Sequence, residues 1–132
     1  MASELKVDKF TGVSTAGSIT VQGEGTATTN LQQGLVKSWC KFNGTSTLAV
    51  NDSFNISAVT DGGTGTYFPL FSNNMNSEHF SADAMKRNES TNTGAQVQIP
   101  SYASTGNNIQ MHESDSAADS SAVSFSVNGD LA

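Results

Sequence analysis

A period-two pattern interrupted by Asn-Gly constrains this chain more than any other feature. In residues 34–56, GLVKSWCKFNGTSTLAVNDSFNI, Val36, Ser38, Cys40 and Phe42 share one parity. Leu35, Lys37, Trp39 and Lys41 share the other. A β-strand points alternate residues to opposite faces. The first set is small or compactly apolar and suits an interior. The second mixes two lysines with a leucine and the only tryptophan, which is neither a monomer core nor an ordinary solvated face. Asn43-Gly44 separates this run from the next, which begins at Ser46. Asn-Gly signals a hairpin because both residues tolerate positive φ. The rhythm of short strand and polar turn continues to the C-terminus. Its cleanest instance sets Val123, Phe125 and Val127 against Ser124 and Ser126.

The remaining body strands are expected at residues 47–50, 53–59, 66–71, 78–85, 96–99, 107–113 and 122–127. Abundant Ser, Thr, Asn and Gly, with little Leu and only 14% charged residues, favour strands and polar turns over helices. Within 53–59, alternation places Phe54, Ile56 and Ala58 on one face. Pro69 has no N–H for a ladder and predicts an edge strand or a bulge, and Pro100 is expected to end the strand 96–99. Length supports about one domain. The fold class is all-β: an antiparallel β-sandwich, jelly-roll-like in one form, with an extended N-terminal arm. Residues 1–33 are read as an attachment or oligomerisation arm, because they carry too little apolar mass to fold alone. Strands are expected there at 5–10 and 18–22, while 26–33 has no clear period. Residues 34–132 are the body. One copy offers a thin core, of the kind that oligomerisation often completes.

The net charge of −6 and the lack of a basic cluster exclude nucleic acid and anionic membrane surfaces as expected partners. No run approaches the ~18 apolar residues of a membrane-spanning helix, and the start MASELKVDKF does not resemble a signal peptide. Synthesis in a cytoplasm and no membrane insertion are therefore expected. Cys40 is the single cysteine, so no internal disulfide can form. Its inward parity predicts a buried free thiol.

No catalytic constellation emerges, and neither a cofactor nor a metal is expected. His79 and His112 lie far apart and are read as solvated strand residues. Gly23-x-Gly25 and Gly62-Gly63-x-Gly65 are read as turns, since no helix or lysine follows where a phosphate cradle needs one. Glu113, Asp115 and Asp119 could hold Ca²⁺, but their spacing does not fit an EF-hand, and a solvated acidic loop is the plainer reading. Asp52 and Asp61 suit turn capping. Three roles fit Trp39: a core residue, a subunit contact, or a platform for stacking a sugar. Its shared parity with Leu35 selects these two as an oligomer interface, with the stems of Lys37 and Lys41 available to cover the ring. Tyr67 and Tyr102 could also stack on sugars, and Tyr102 is the candidate receptor contact.

Much of the first two thirds of the chain resembles a module common in structural proteins of tailed marine phages, notably those infecting cyanobacteria. The matching residues are Lys37, Trp39, Phe42-Asn43-Gly44-Thr45, Asp52-Ser53-Phe54-Asn55, Ser57, Thr60-Asp61-Gly62, Thr64-Gly65, Tyr67 and Phe71. The opening SELKVDKFTG is similar to the starts of such proteins. Ser38, Cys40 and Pro69 depart from the usual pattern. The resemblance implies a virion protein, tail-fibre-like and trimeric, and assigns no catalytic site. This chain has no long shaft, so a short knob, a fibre tip or a capsid decoration is expected, made in the host cytoplasm and carried in the virion. Expected partners are further copies of itself and other virion proteins. The alternative function is a module that binds a host-surface glycan. A polysaccharide depolymerase is set aside, because hydrolysis needs paired carboxylates across a cleft and no strand presents such a pair.

Overall fold

The computed structural model describes residues 4–15, 18–87 and 95–132, and every regular element among them is a strand. One sheet contains β3 (Val36–Asn43), β4 (Ala49–Phe54), β7 (Ser81–Lys86) and β11 (Val123–Asn128), in the order β4-β3-β11-β7. The other contains β5 (Ile56–Asp61), β6 (Thr66–Phe71), β8 (Ala95–Ala103), β9 (Gly106–Glu113) and the two-residue β10 (Ser116–Ala117). In that sheet β9 lies between β6 and β8. All pairings in both sheets are antiparallel. The last strand, β11, returns to lie between β3 and β7, so the body closes on its own first strand.

The sheets meet through one apolar layer. Cys40 and Phe42 of β3 with Val123, Phe125 and Val127 of β11 face Val59, Tyr67, Phe71, Ile109 and Met111. The Phe42 and Tyr67 rings pack across the sheets at 5.1 Å between centroids. Burying each large apolar side chain contributes about 1.5–3 kcal/mol relative to leaving it in water, which enforces the alternation along β3 and β11. Parity thus holds for Ser38, Cys40 and Phe42. It fails at Val36, which is exposed because the β3–β11 register slips between Val127 and Asn128.

Cys40 is 1% exposed, and burial pushes its thiol up to about 12 from 9.0. A raised value favours the neutral thiol in the fold. Its contribution to stability is therefore intact below the ordinary thiol range and lost as pH climbs towards about 12. Iodoacetamide should leave native protein unlabelled at about pH 8 and alkylate it fully in denaturant. Rapid labelling of the native protein would place Cys40 outside the core.

Several boundaries differ from the alternation. The run 53–59 is two strands in different sheets, because Asn55 adopts φ 56° and turns the chain a corner. Phe54 consequently faces outward, while Ile56 packs against the core. Pro69 lies not at an edge but in β6, between β5 and β9. The β6–β9 pairing passes from Tyr67↔Ile109 to Leu70↔Gly106 without pairing Pro69, so the missing N–H falls in a gap. Gly106 permits this approach, since a Cβ there would sit 2.5 Å from the Pro69 carbonyl oxygen. Pro100 does not end its strand. It lies within the edge strand β8, where the register shifts between Gln98 and Ser101. Residues 78–80 precede β7 rather than belonging to it.

The arm is mostly not strand. Residues 5–10 form none, and Leu5, Val7, Phe10 and Val13 are all exposed. β1 (Thr20–Gln22) and β2 (Thr28–Asn30) pair as a small antiparallel ribbon. Asn30 Oδ1 accepts the backbone N–H groups of Gln32 and Gln33, at 2.8 and 3.1 Å, and turns the chain towards β3.

Candidate functional site

Several polar residues between residues 43 and 67 hold turns and a corner. Asn43 Oδ1 accepts the Thr45 backbone N–H and hydroxyl, at 2.8 and 2.7 Å, as a short polar side chain in a hairpin can. Asp61 Oδ1 accepts the Gly63 N–H at 2.8 Å. Gly63 and Gly65, at φ 108° and 69°, complete that turn in a region other residues avoid. The Tyr67 hydroxyl donates inside the sandwich, with Asp119 Oδ1 at 2.6 Å and the Gly44 carbonyl oxygen at 2.8 Å. Burial, reinforced by the Asp119 carboxylate, pushes the Tyr67 phenol above its ordinary range. Tyr67 is thus a buried pin and offers no surface for a sugar.

The outer face of the four-stranded sheet carries Trp39 and more, while Leu35 lies just before β3, beside Phe10, Ile19 and Leu31 of the arm. Trp39 is 36% exposed and Leu35 53%, which removes Trp39 from the core of a single chain. Across the strands, Trp39 pairs with Phe54 on one side and Ser126 on the other, and Ser126 pairs with Asp83. The next row is Asp52, Lys41, Ser124 and Met85. Phe54 and Met85 are both exposed. An apolar hollow of about 360 Å³ lies along Trp39, Lys41, Met85 and Ser124. Sequence parity found Trp39 but missed Phe54, whose side is set by the corner at Asn55. Lys37 does not flank the ring in solvent as expected. It is buried, and its ammonium donates to the Gln32 carbonyl oxygen. Desolvation lowers its pKa, opposed by the charge of Asp130.

Tyr102 lies in β8, where no strand was expected, and is exposed. Its ring packs on Phe80 at 5.4 Å, and Phe80 packs edge-on against Phe71 at 6.0 Å. Phe80 also forms one wall of a polar cleft of about 450 Å³, with Gln33, Asn76, His79, Asn128 and Asp130 around it. No local motif announces this cleft, because its residues come from three distant segments.

The acidic loop does not gather its carboxylates. Glu113 accepts the Lys86 ammonium at 2.9 Å, Asp119 turns inward to Tyr67 and to the Gly65 N–H, and Asp115 is exposed in a left-handed turn. His79 is exposed in the 76–81 loop, and His112 is half-buried on β9. Among the described residues no three His, Cys, Asp or Glu groups are placed to share a metal ion. No helix among them is long and apolar enough to cross a membrane. Comparison with protein-family models, with curated proteins and with solved structures returns no match.

Proposed function

We propose that this chain is a non-enzymatic structural protein on the exterior of a tailed-phage particle: a short homotrimeric knob, fibre or capsid decoration held by its N-terminal arm. The resemblance supplies the particle. The observation that carries the assembly is the outer face bearing Trp39, Phe54 and Met85, all exposed in the single chain, with Leu35 exposed just before β3. A contiguous apolar surface of this kind marks a contact site on a soluble protein. The arm presents Leu5, Val7, Phe10 and Val13 in the same uncovered state, which suits docking on another chain.

Two measurements test the reading. Light scattering should give three times the chain mass. Trp39→Ala should shift the protein towards monomer with its β-type circular dichroism retained, since truncating an interface aromatic costs about 2 kcal/mol or more per contact. A monomeric wild type would end the trimer proposal. Deleting residues 2–25 should leave a soluble body that is absent from purified particles. Normal copy number of the truncated protein in those particles would show that the arm is not the anchor.

The polar cleft beside Phe80 favours a second role on the same particle, recognition of a host-surface glycan.

A further inference from the structure

We propose that the cleft between Gln33, the 76–81 loop and residues 128–130 binds one uncharged pyranose unit of a saccharide. This inference rests on the glycan-recognition reading and locates it.

The cleft is tied to the core. The Asn76 N–H donates to the Asp130 carbonyl oxygen at 2.8 Å, and Gln33 Nε2 donates to Asp130 Oδ2 at 3.1 Å. Met75 and Leu131 form a β-bridge behind it, and the Ala132 N–H donates to the Asn74 carbonyl oxygen at 3.0 Å. Gly129 abuts Phe80 so closely that a Cβ would lie 2.7 Å from the Phe80 Cβ. These ties join three segments remote in sequence into walls that exist before any ligand arrives. Small-molecule sites are usually preformed in this way, and a volume of about 450 Å³ lies within their ordinary range.

The lining selects the ligand. Each amide of Asn76, Asn128 and Gln33 carries donors and an acceptor in one plane, which suits neighbouring hydroxyls on a ring. Among the described residues, no hydrogen bond engages the side-chain amides of Asn76 and Asn128 or the His79 ring. One Asp130 oxygen holds Gln33, and the other remains to accept a hydroxyl. Among the described residues no lysine or arginine lines the cleft, and Asp130 sets a negative charge in it, so a phosphate, sulfate or uronate is disfavoured. Phe80 is the single large apolar wall, too little for a lipid chain but suited to the C–H face of a sugar ring. A small, uncharged, hydroxyl-rich ring satisfies all of these conditions.

The test is a titration of the isotope-labelled full chain, followed by backbone amide shifts. The probes are the methyl glycosides of glucose, galactose and mannose, together with N-acetylglucosamine; glucuronate is the charged comparison. At least one neutral sugar should move the amides of residues 76–81 and 128–130 saturably, with glucuronate weaker. Asn128→Ala and Asn76→Ala should each weaken binding about tenfold, the loss of one good hydrogen bond, while leaving distant amides in place. Shifts centred on Trp39, Phe54 and Met85 would overturn this site and leave glycan recognition standing on the outer sheet face. No shift with any neutral sugar up to about 50 mM would overturn both. Tighter binding of glucuronate would overturn the assignment to an uncharged ring.

Discussion

Asp119→Ala is expected to lower the free energy of unfolding by about 3 kcal/mol. Asp119 Oδ1 receives the Tyr67 hydroxyl at 2.6 Å and the Gly65 N–H at 2.7 Å. Hydrogen bonds to a carboxylate each contribute about 1.5–3 kcal/mol, and a buried donor left alone costs its desolvation. Gly65 is buried, and a Cβ on it would lie 2.5 Å from the Met111 carbonyl oxygen, so the turn cannot shift to find another acceptor. The Tyr67 hydroxyl keeps the Gly44 carbonyl oxygen at 2.8 Å, which limits the loss on that side. Tyr67→Phe should therefore cost about 1 kcal/mol. The double mutant should lose less than the sum, because the two residues share one bond. Urea unfolding with linear extrapolation reads all three values. Additive losses would show that the residues do not act together.

The same pair predicts a pH response. With its phenol held above the ordinary range, Tyr67 contributes stability that is complete below the ordinary tyrosine pKa and is lost as pH rises through the folded value. Asp119→Ala removes the carboxylate that reinforces burial. Phenolate absorbance attributable to Tyr67, isolated by subtraction of the Tyr67→Phe spectrum, should then appear at lower pH. An unmoved titration would leave burial as the whole cause.

Asn55→Ala is the second large effect, expected to cost about 3 kcal/mol. Asn55 holds φ 56°, where a residue with a Cβ and no local hydrogen bond is strained by about 1–2 kcal/mol. Its Nδ2 donates to the Lys37 and Asn73 carbonyl oxygens, both at 3.0 Å. Its Oδ1 accepts the Asn73 backbone N–H at 2.6 Å. One side chain thus ties β3, the β4–β5 corner and the loop after β6. Asn55→Gly separates the two contributions. Glycine accepts the dihedral but makes none of the bonds, so it should recover roughly 1 kcal/mol of the loss. Denaturant midpoints for the two variants decide the matter. Equal losses would mean that the hydrogen bonds alone hold the corner.

Neighbouring residues could be read wherever the structure depends on neighbours. Ser38, Cys40 and Phe42 face the interior as alternation requires, and so do Val123, Phe125 and Val127. Asp61 and the glycines after it read correctly as a turn, since a left-handed backbone and a short acceptor are local properties. Trp39 could be placed on the outer surface for the same reason, whereas Leu35 is exposed beyond the register slip, where alternation no longer applies. Tyr102 stands out by residue type alone; the strand expected at 96–99 runs on to Ala103, because Pro100 sits at a register shift that period-two counting takes for an end.

The all-β class, the inward parity of Ser38, Cys40 and Phe42 in β3 and of β11, and the polar turns were determined by the sequence itself, because each follows from side chains one or two residues apart. Tertiary structure alone decided which sheet each strand joins. A single dihedral at Asn55 sends β5 away from β4 and turns Phe54 out beside Trp39, a consequence of 18-residue-distant bonds to Lys37 and Asn73. It also decided the burial of Lys37 beneath Gln32 and the meeting of Gln33, Asn76 and Asn128 around one cleft. Such sites depend on contacts between segments that the chain keeps far apart until it folds, and no periodicity records them.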